Sequence, residues 1–134
     1  MYRAHTVSVA VDVDPASAYA YISDPEHLPD WAPGFILSIE RQGDAWLAQT
    51  ILGEAWFRFA PRNEYGVLDH DVELPTGHFH NPMRVIPNGA GCEVLFTMLQ
   101  LPGTTDEQYQ ADLETVRHDL QTLKKVLEAR SGRG

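Results

Sequence analysis

From Phe35 to Gln100 apolar and polar residues alternate almost without interruption, and turn residues break the alternation at short intervals. Period two belongs to strands with one buried face and one wet face. The breaks carry hairpin chemistry: Gly43-Asp44, Gly53-Glu54, Asn63 to Gly66, Pro75 to Gly77, and "PNGAG" at Pro87 to Gly91. The pattern predicts six strands in hairpin succession: from Phe35, from Trp46, around Phe57 to Phe59, over Val67 to Glu73, over His78 to Ile86, and over Cys92 to Gln100. An antiparallel sheet with a single apolar face needs a cover.

The cover has to come from the C-terminal segment. Tyr109, Leu113, Val116, Leu120, Leu123 and Leu127 fall at spacings of four and three, one stripe on a helix from about Asp106 to Arg130. Thr104 with Glu107, or Thr105 with Gln108, makes its capping box. Its other faces read as charged and solvated. At the other end, His5 to Asp12 alternates with Val7, Val9 and Val11 on one side, which predicts a further strand, the seventh. Asp14-Pro15 opens a short helix, "ASAYAYI", and Asp24-Pro25 opens a second, which Pro33-Gly34 ends.

Hairpin register propagates faces from strand to strand. Leu52 opposite Ala55 puts Thr50 against Phe57 and Ala48 against Phe59. Gln42 opposite Ala45 puts Ile39 against Ala48 and Leu37 against Thr50. Pro87 opposite Cys92 sets Val85 on Val94, Met83 on Phe96 and Asn81 on Met98. Val72 then faces Phe79, and His70 faces Asn81. The inward set is Phe35, Leu37, Ile39, Trp46, Phe57, Phe59, His70, Val72, Phe79, Asn81, Met83, Val85, Val94, Phe96 and Met98. Only His70 and Asn81 in it are strongly polar. Arg58, Asp69, Asp71, Glu73, His78, His80 and Arg84 fall on the outer face, where Arg58 nears Asp71, Glu73 sits beside His78, and Asp71 beside His80.

Bulk composition narrows the function classes. The chain of 134 residues fits one domain, read here as residues 1–130 with a flexible tail at 131–134. A net charge of −9 repels phosphate backbones and anionic lipid surfaces, so neither nucleic acid nor membrane insertion is expected. No apolar run approaches the roughly 18 residues of a membrane span. Cys92 is the only cysteine and reads as a structural thiol in a cytoplasmic protein.

This order of elements resembles the helix-grip fold of the SRPBCC superfamily, which includes START lipid-transfer domains, the birch-pollen-allergen type and polyketide cyclase/dehydrase-like proteins. "VSVAVDVDPASAYAYISDPEHLPDWAPGF" at Val7 to Phe35 and "LPGTTDEQYQADLETVRHDLQTLKKVLE" at Leu101 to Glu128 carry the resemblance. It implies an α+β domain: a curved seven-stranded antiparallel sheet wrapped around the long C-terminal helix, with two short helices between the first and second strands. It also implies a cavity between sheet and helix, roofed by the short helices. The superfamily has no universal catalytic motif, so no catalytic residue carries over.

The candidate sites follow from the faces. His70 and Asn81 could orient a ligand in an apolar cavity, or could be a hydrogen-bonded pair in a filled core. Trp31, Tyr19, Tyr21, Trp46 and Tyr109 could add aromatic walls. The expected lining is Trp31, Phe35, Trp46, Phe57, Phe59, His70, Phe79, Asn81, Met83, Phe96, Met98, Tyr109, Leu113 and Val116. As a histidine, His70 could serve as a general acid or base near neutral pH, moving a proton while Asn81 holds a carbonyl or hydroxyl. His78, His80, Asp71 and Glu73 share a face, but mixed-charge hairpins produce that pattern often, so no metal is expected. Asp24 reads as a cap and Arg84 as a surface partner of Glu93. His27 and His118 read as exposed helix residues.

The function expected is binding of a small hydrophobic molecule, aromatic, polyketide- or lipid-like, without a cofactor, by a monomer or homodimer. The alternative is a cofactor-independent cyclase or dehydratase, a lyase or isomerase, using His70. A second alternative is a partner-binding module of the cochaperone type.

Overall fold

The computed structural model describes residues 1–132. Strand β1 (Ala4–Val11) leads into helix α1 (Pro15–Ile22), where Asp14 accepts a hydrogen bond from the Ser17 amide and Pro15 takes the first helical position. A 3-10 turn (Pro25–His27), capped by Asp24, runs into the short α2 (Leu28–Trp31). Seven more strands follow: β2 (Ile36–Gln42), β3 (Ala45–Thr50), β4 (Gly53–Phe59), β5 (His70–Leu74), β6 (Gly77–Asn81), β7 (Met83–Asn88) and β8 (Gly91–Leu99). Helix α3 (Asp106–Arg130) closes the fold. Its cap is Thr105, whose hydroxyl accepts from the Gln108 amide, while the Gln108 side chain turns to Asp112 instead of closing the box.

The expectation of one seven-stranded sheet is corrected. The described residues form eight strands in two antiparallel sheets, one ordered β1-β8-β7 and the other β2-β3-β4-β5-β6. The predicted strand over His78 to Ile86 divides at Pro82, which has no N–H to give to a ladder. The two sheets are sewn together there. The Thr97 amide donates to the Pro82 carbonyl, the Leu68 amide to Met83, and the Val85 amide to Gly66. Asp69, expected on the open outer face, is half-buried in this seam. Its carboxylate accepts from the Met83 amide and pairs with Arg84, so Arg84 does not pair with Glu93, whose carboxylate binds Asn88.

Register holds where the turns were read correctly: Ile39 opposite Ala48, Val85 opposite Val94, Met83 opposite Phe96, Val72 opposite Phe79 and His70 opposite Asn81. Two corrections apply. Thr50 pairs with Gly53 and Ala48 with Ala55, because the β3–β4 turn is made by Ile51 and Leu52. Leu37 does not face Thr50. A bulge between Ile36 and Ser38 puts Ile36 there, leaving Leu37 63% exposed and Ile36 buried.

The apolar stripe of α3, with Tyr109, Leu113, Leu120, Leu123 and Leu127 all buried, packs on β1, β8 and α2. At the far end, Lys124 donates to the Ala10 carbonyl and Glu128 accepts from the Asp12 amide, pinning the helix to β1. The close packing of α3 is thus on the three-stranded sheet, and the helix stands off the five-stranded one. Among the described residues no helix is long and apolar enough to cross a membrane.

Candidate functional site

The gap left between α3 and the five-stranded sheet is a cavity of about 250 Å³ with a mainly apolar lining. The sheet gives Phe57, His70, Val72, Leu74, Phe79 and Asn81; α2 and the chain after it give Leu28, Trp31, Ala32, Phe35 and Ile36; α3 gives Asp112, Thr115, Val116, Asp119 and Leu120. Phe96 and Met98 of β8 complete the floor, and the exposed Leu52 stands at the rim.

Of the side chains expected to line a cavity, Trp31, Phe35, Phe57, His70, Phe79, Asn81, Phe96, Met98 and Val116 do so. Trp46, Phe59, Met83, Tyr109 and Leu113 do not. Met83 and Leu113 are closed core, Tyr109 donates its hydroxyl proton to the Met98 carbonyl, and Phe59 stacks on His70 from the side, 4.8 Å between centroids. Tyr19 and Tyr21 are also outside the lining: the Tyr19 hydroxyl accepts from the Asn63 amide, and Tyr21 stacks on His27 at 4.0 Å. His27 is therefore half-buried against that ring, its Nδ1 2.7 Å from the Tyr21 carbonyl.

His70 is 5% exposed, and Phe57, Phe59 and Phe96 surround its ring. It makes no hydrogen bond to Asn81. Its Nδ1 lies 3.0 Å from the Leu68 carbonyl, and a carbonyl only accepts, so Nδ1 carries the proton. Nε2 then holds a lone pair, and no described residue donates to it. Burial among rings that cannot solvate a cation holds the imidazole pKa below its usual value, against the smaller opposing pull of the Leu68 carbonyl and Asp69. The ring is a neutral acceptor in a low-dielectric wall.

Two further features escaped the sequence reading. The indole Nε1 of Trp31 is buried without a hydrogen-bond partner, an uncommon state for a donor. Asp112, Thr115 and Asp119 face the cavity from α3, on a strip beside the apolar stripe. Burial pushes the Asp119 carboxyl up to about 6, with His118 pulling weakly the other way. The spacing 112, 115, 119 was the available signal, since it repeats the helical period one row over.

The outer-face cluster is built differently. His80 Nδ1 lies 2.8 Å from the Asp71 carboxylate, His78 lies 3.3 Å from it, and both rings are exposed. The Asp71 carboxyl is held below the usual carboxylate range, chiefly by the His80 hydrogen bond. Among the described residues no group of three or more His, Cys, Asp or Glu is placed to hold a metal ion. Cys92 is buried, and desolvation raises its thiol pKa, the opposite of an activated nucleophile.

No known protein-family pattern matches the sequence, and no curated protein matches it. Solved structures do. Ara h 8.0201 aligns with a TM-score of 0.72 over 96% of this chain and 99% of its own, at 14% identity. A START superfamily protein from Mycobacterium smegmatis aligns at 0.72 over 94% and 97%, at 15% identity. A truncated norcoclaurine synthase from Thalictrum flavum aligns at 0.69 over 95% and 94%, at 16% identity. Identities this low speak for architecture, which hosts many functions. The chain has the helix-grip fold of the START and SRPBCC type.

Proposed function

We propose that the protein binds a small, largely apolar molecule in the cavity between α3 and the five-stranded sheet. The observation that carries this reading is a mainly apolar space of about 250 Å³ whose wall contains two polar groups with no partner among the described residues, the His70 lone pair and the Asn81 carboxamide. Native interiors satisfy buried polar groups, so a wall that leaves these open suits an occupant that fills them. An engineered apolar cavity of about 150 Å³ takes benzene, so this space suits a ligand of one or two rings. The likeness to a START superfamily protein and to Ara h 8.0201 supports a ligand-binding architecture. Native mass spectrometry of gently purified protein tests it: a non-covalent adduct of one small molecule per chain is expected, and a cavity that neither retains nor takes up any small aromatic molecule contradicts the reading.

A second reading rests on the state of His70. A neutral imidazole with Nδ1 pinned and Nε2 open is arranged to take a proton from a substrate held against it, with Asn81 orienting a carbonyl or hydroxyl. Norcoclaurine synthase, similar in fold, is an enzyme by name. Once the ligand is known, turnover by the wild type that His70→Ala abolishes while binding persists supports the cyclase or dehydratase type of activity. Binding without turnover in either protein supports a carrier.

A further inference from the structure

We infer that the molecule held in this cavity carries a basic nitrogen at its helix-facing end and a neutral hydrogen-bonding oxygen at its sheet-facing end. The inference rests on the binding reading above and adds the ligand's charge. The titratable side chains lining the cavity are His70 on β5 and Asp112 and Asp119 on α3; α2, β6 and β8 contribute none. Among the described residues no lysine or arginine lines it. A fatty acid, a phosphate ester or any other anion therefore meets two carboxylates and no counter-charge.

The two carboxylates differ. Asp112 already accepts from Gln108 Nε2 at 2.8 Å. Asp119 is half-buried and makes no hydrogen bond or ion pair with any described residue; the one charge favouring its ionised form belongs to His118, its exposed neighbour. A desolvated carboxylate beside an apolar cavity is costly unless a cation meets it. A ligand ammonium would be that cation, and the aromatic side chains of Trp31, Phe57 and Phe96 also line the cavity. Independently, His70 Nε2 on the sheet has no donor among the described residues. A ligand hydroxyl would donate to that lone pair.

Three molecules of one shape test the charge: 1-naphthylmethylamine, protonated at pH 7.5, 1-naphthylmethanol, and 1-naphthoate. Titration calorimetry on the full chain should rank the amine at least tenfold tighter than the alcohol and the naphthoate weakest. Asp119→Asn should bring the amine to within twofold of the alcohol, and Asp112→Asn, a second variant against loss of folding in the first, should weaken the amine alone. Equal affinities for amine and alcohol, or a naphthoate preference, overturn the inference and leave the cavity as a binding site. Failure of all three to bind overturns the binding reading as well.

Discussion

The protonated Nδ1 of His70 lies 3.0 Å from the carbonyl oxygen of Leu68, two residues earlier in the chain. This bond sits where the chain leaves the seam between the two sheets, and it decides which ring nitrogen looks into the cavity. A local backbone contact thus sets the chemistry of the wall.

The first prediction concerns that ring. Nitrogen-detected magnetic resonance should show the Nδ1–H tautomer and a titration below the ordinary histidine value of about 6.5. The unfolded chain takes up this proton first, so His70 subtracts stability as pH falls below about 6.5. His70→Phe should flatten the fall in stability just below that pH. An Nε2–H tautomer, or titration at the ordinary value, contradicts the assigned geometry.

Asp119 has the opposite sign. Its carboxyl is raised from 3.8 to about 6, so the folded chain holds a proton that the unfolded chain releases earlier. The resulting penalty is absent below pH of about 4, grows up to about 6, and is complete above it. Full burial would make the shift worth about 3 kcal/mol, and partial exposure reduces that to about 1 kcal/mol. Asp119→Asn should therefore stabilise the protein by about 1 kcal/mol at pH 7.5 and by nothing near pH 4, measured by urea unfolding. A destabilised variant at pH 7.5 would show that the carboxylate is satisfied after all.

The bulge in β2 makes a paired prediction. Leu37 is 63% exposed and Ile36 is 3% exposed. Leu37→Ser should change stability by less than about 0.5 kcal/mol, and Ile36→Ala should cost about 2–5 kcal/mol. The reverse order would restore the unbulged register.

How much of this was legible depends on parity. The β3–β4 hairpin turns two residues earlier than its Gly53-Glu54 signal suggests, which slips the pairing by four, yet no side chain changes face, because an even slip preserves the period. A one-residue bulge does change a face, and Ile36, Leu37 and Ser38 carry no residue that announces it. His70 and Asn81 were readable because the β5–β6 hairpin is regular from Leu74–Gly77 to His70–Asn81. The split at Pro82 is written in the sequence but does not disturb the alternation, since a proline inside an alternating run still keeps its parity. Asp112 and Asp119 were hidden for a different reason. The faces of an amphipathic helix beside its apolar stripe read as solvated, whereas α3 rests on one sheet and leaves a gap over the other.

Gly66 tests the seam. Its φ is +73°, and a Cβ there would collide with the carbonyl oxygen of Val85, the residue whose amide it accepts from. Gly66→Ala should cost more than about 1 kcal/mol by urea unfolding, because backbone strain and the clash add. A neutral effect would mean that the two sheets do not meet at this point.

The most direct test of the cavity as a binding site is an amide-resolved magnetic resonance titration with 1-naphthylmethanol, repeated on Val116→Phe, which places a ring in the space. The account predicts saturable shifts at His70, Asn81, Phe96 and Asp119, none at His78 and His80, and loss of binding in the filled variant. Shifts confined to the outer face, or binding unchanged by Val116→Phe, would contradict it.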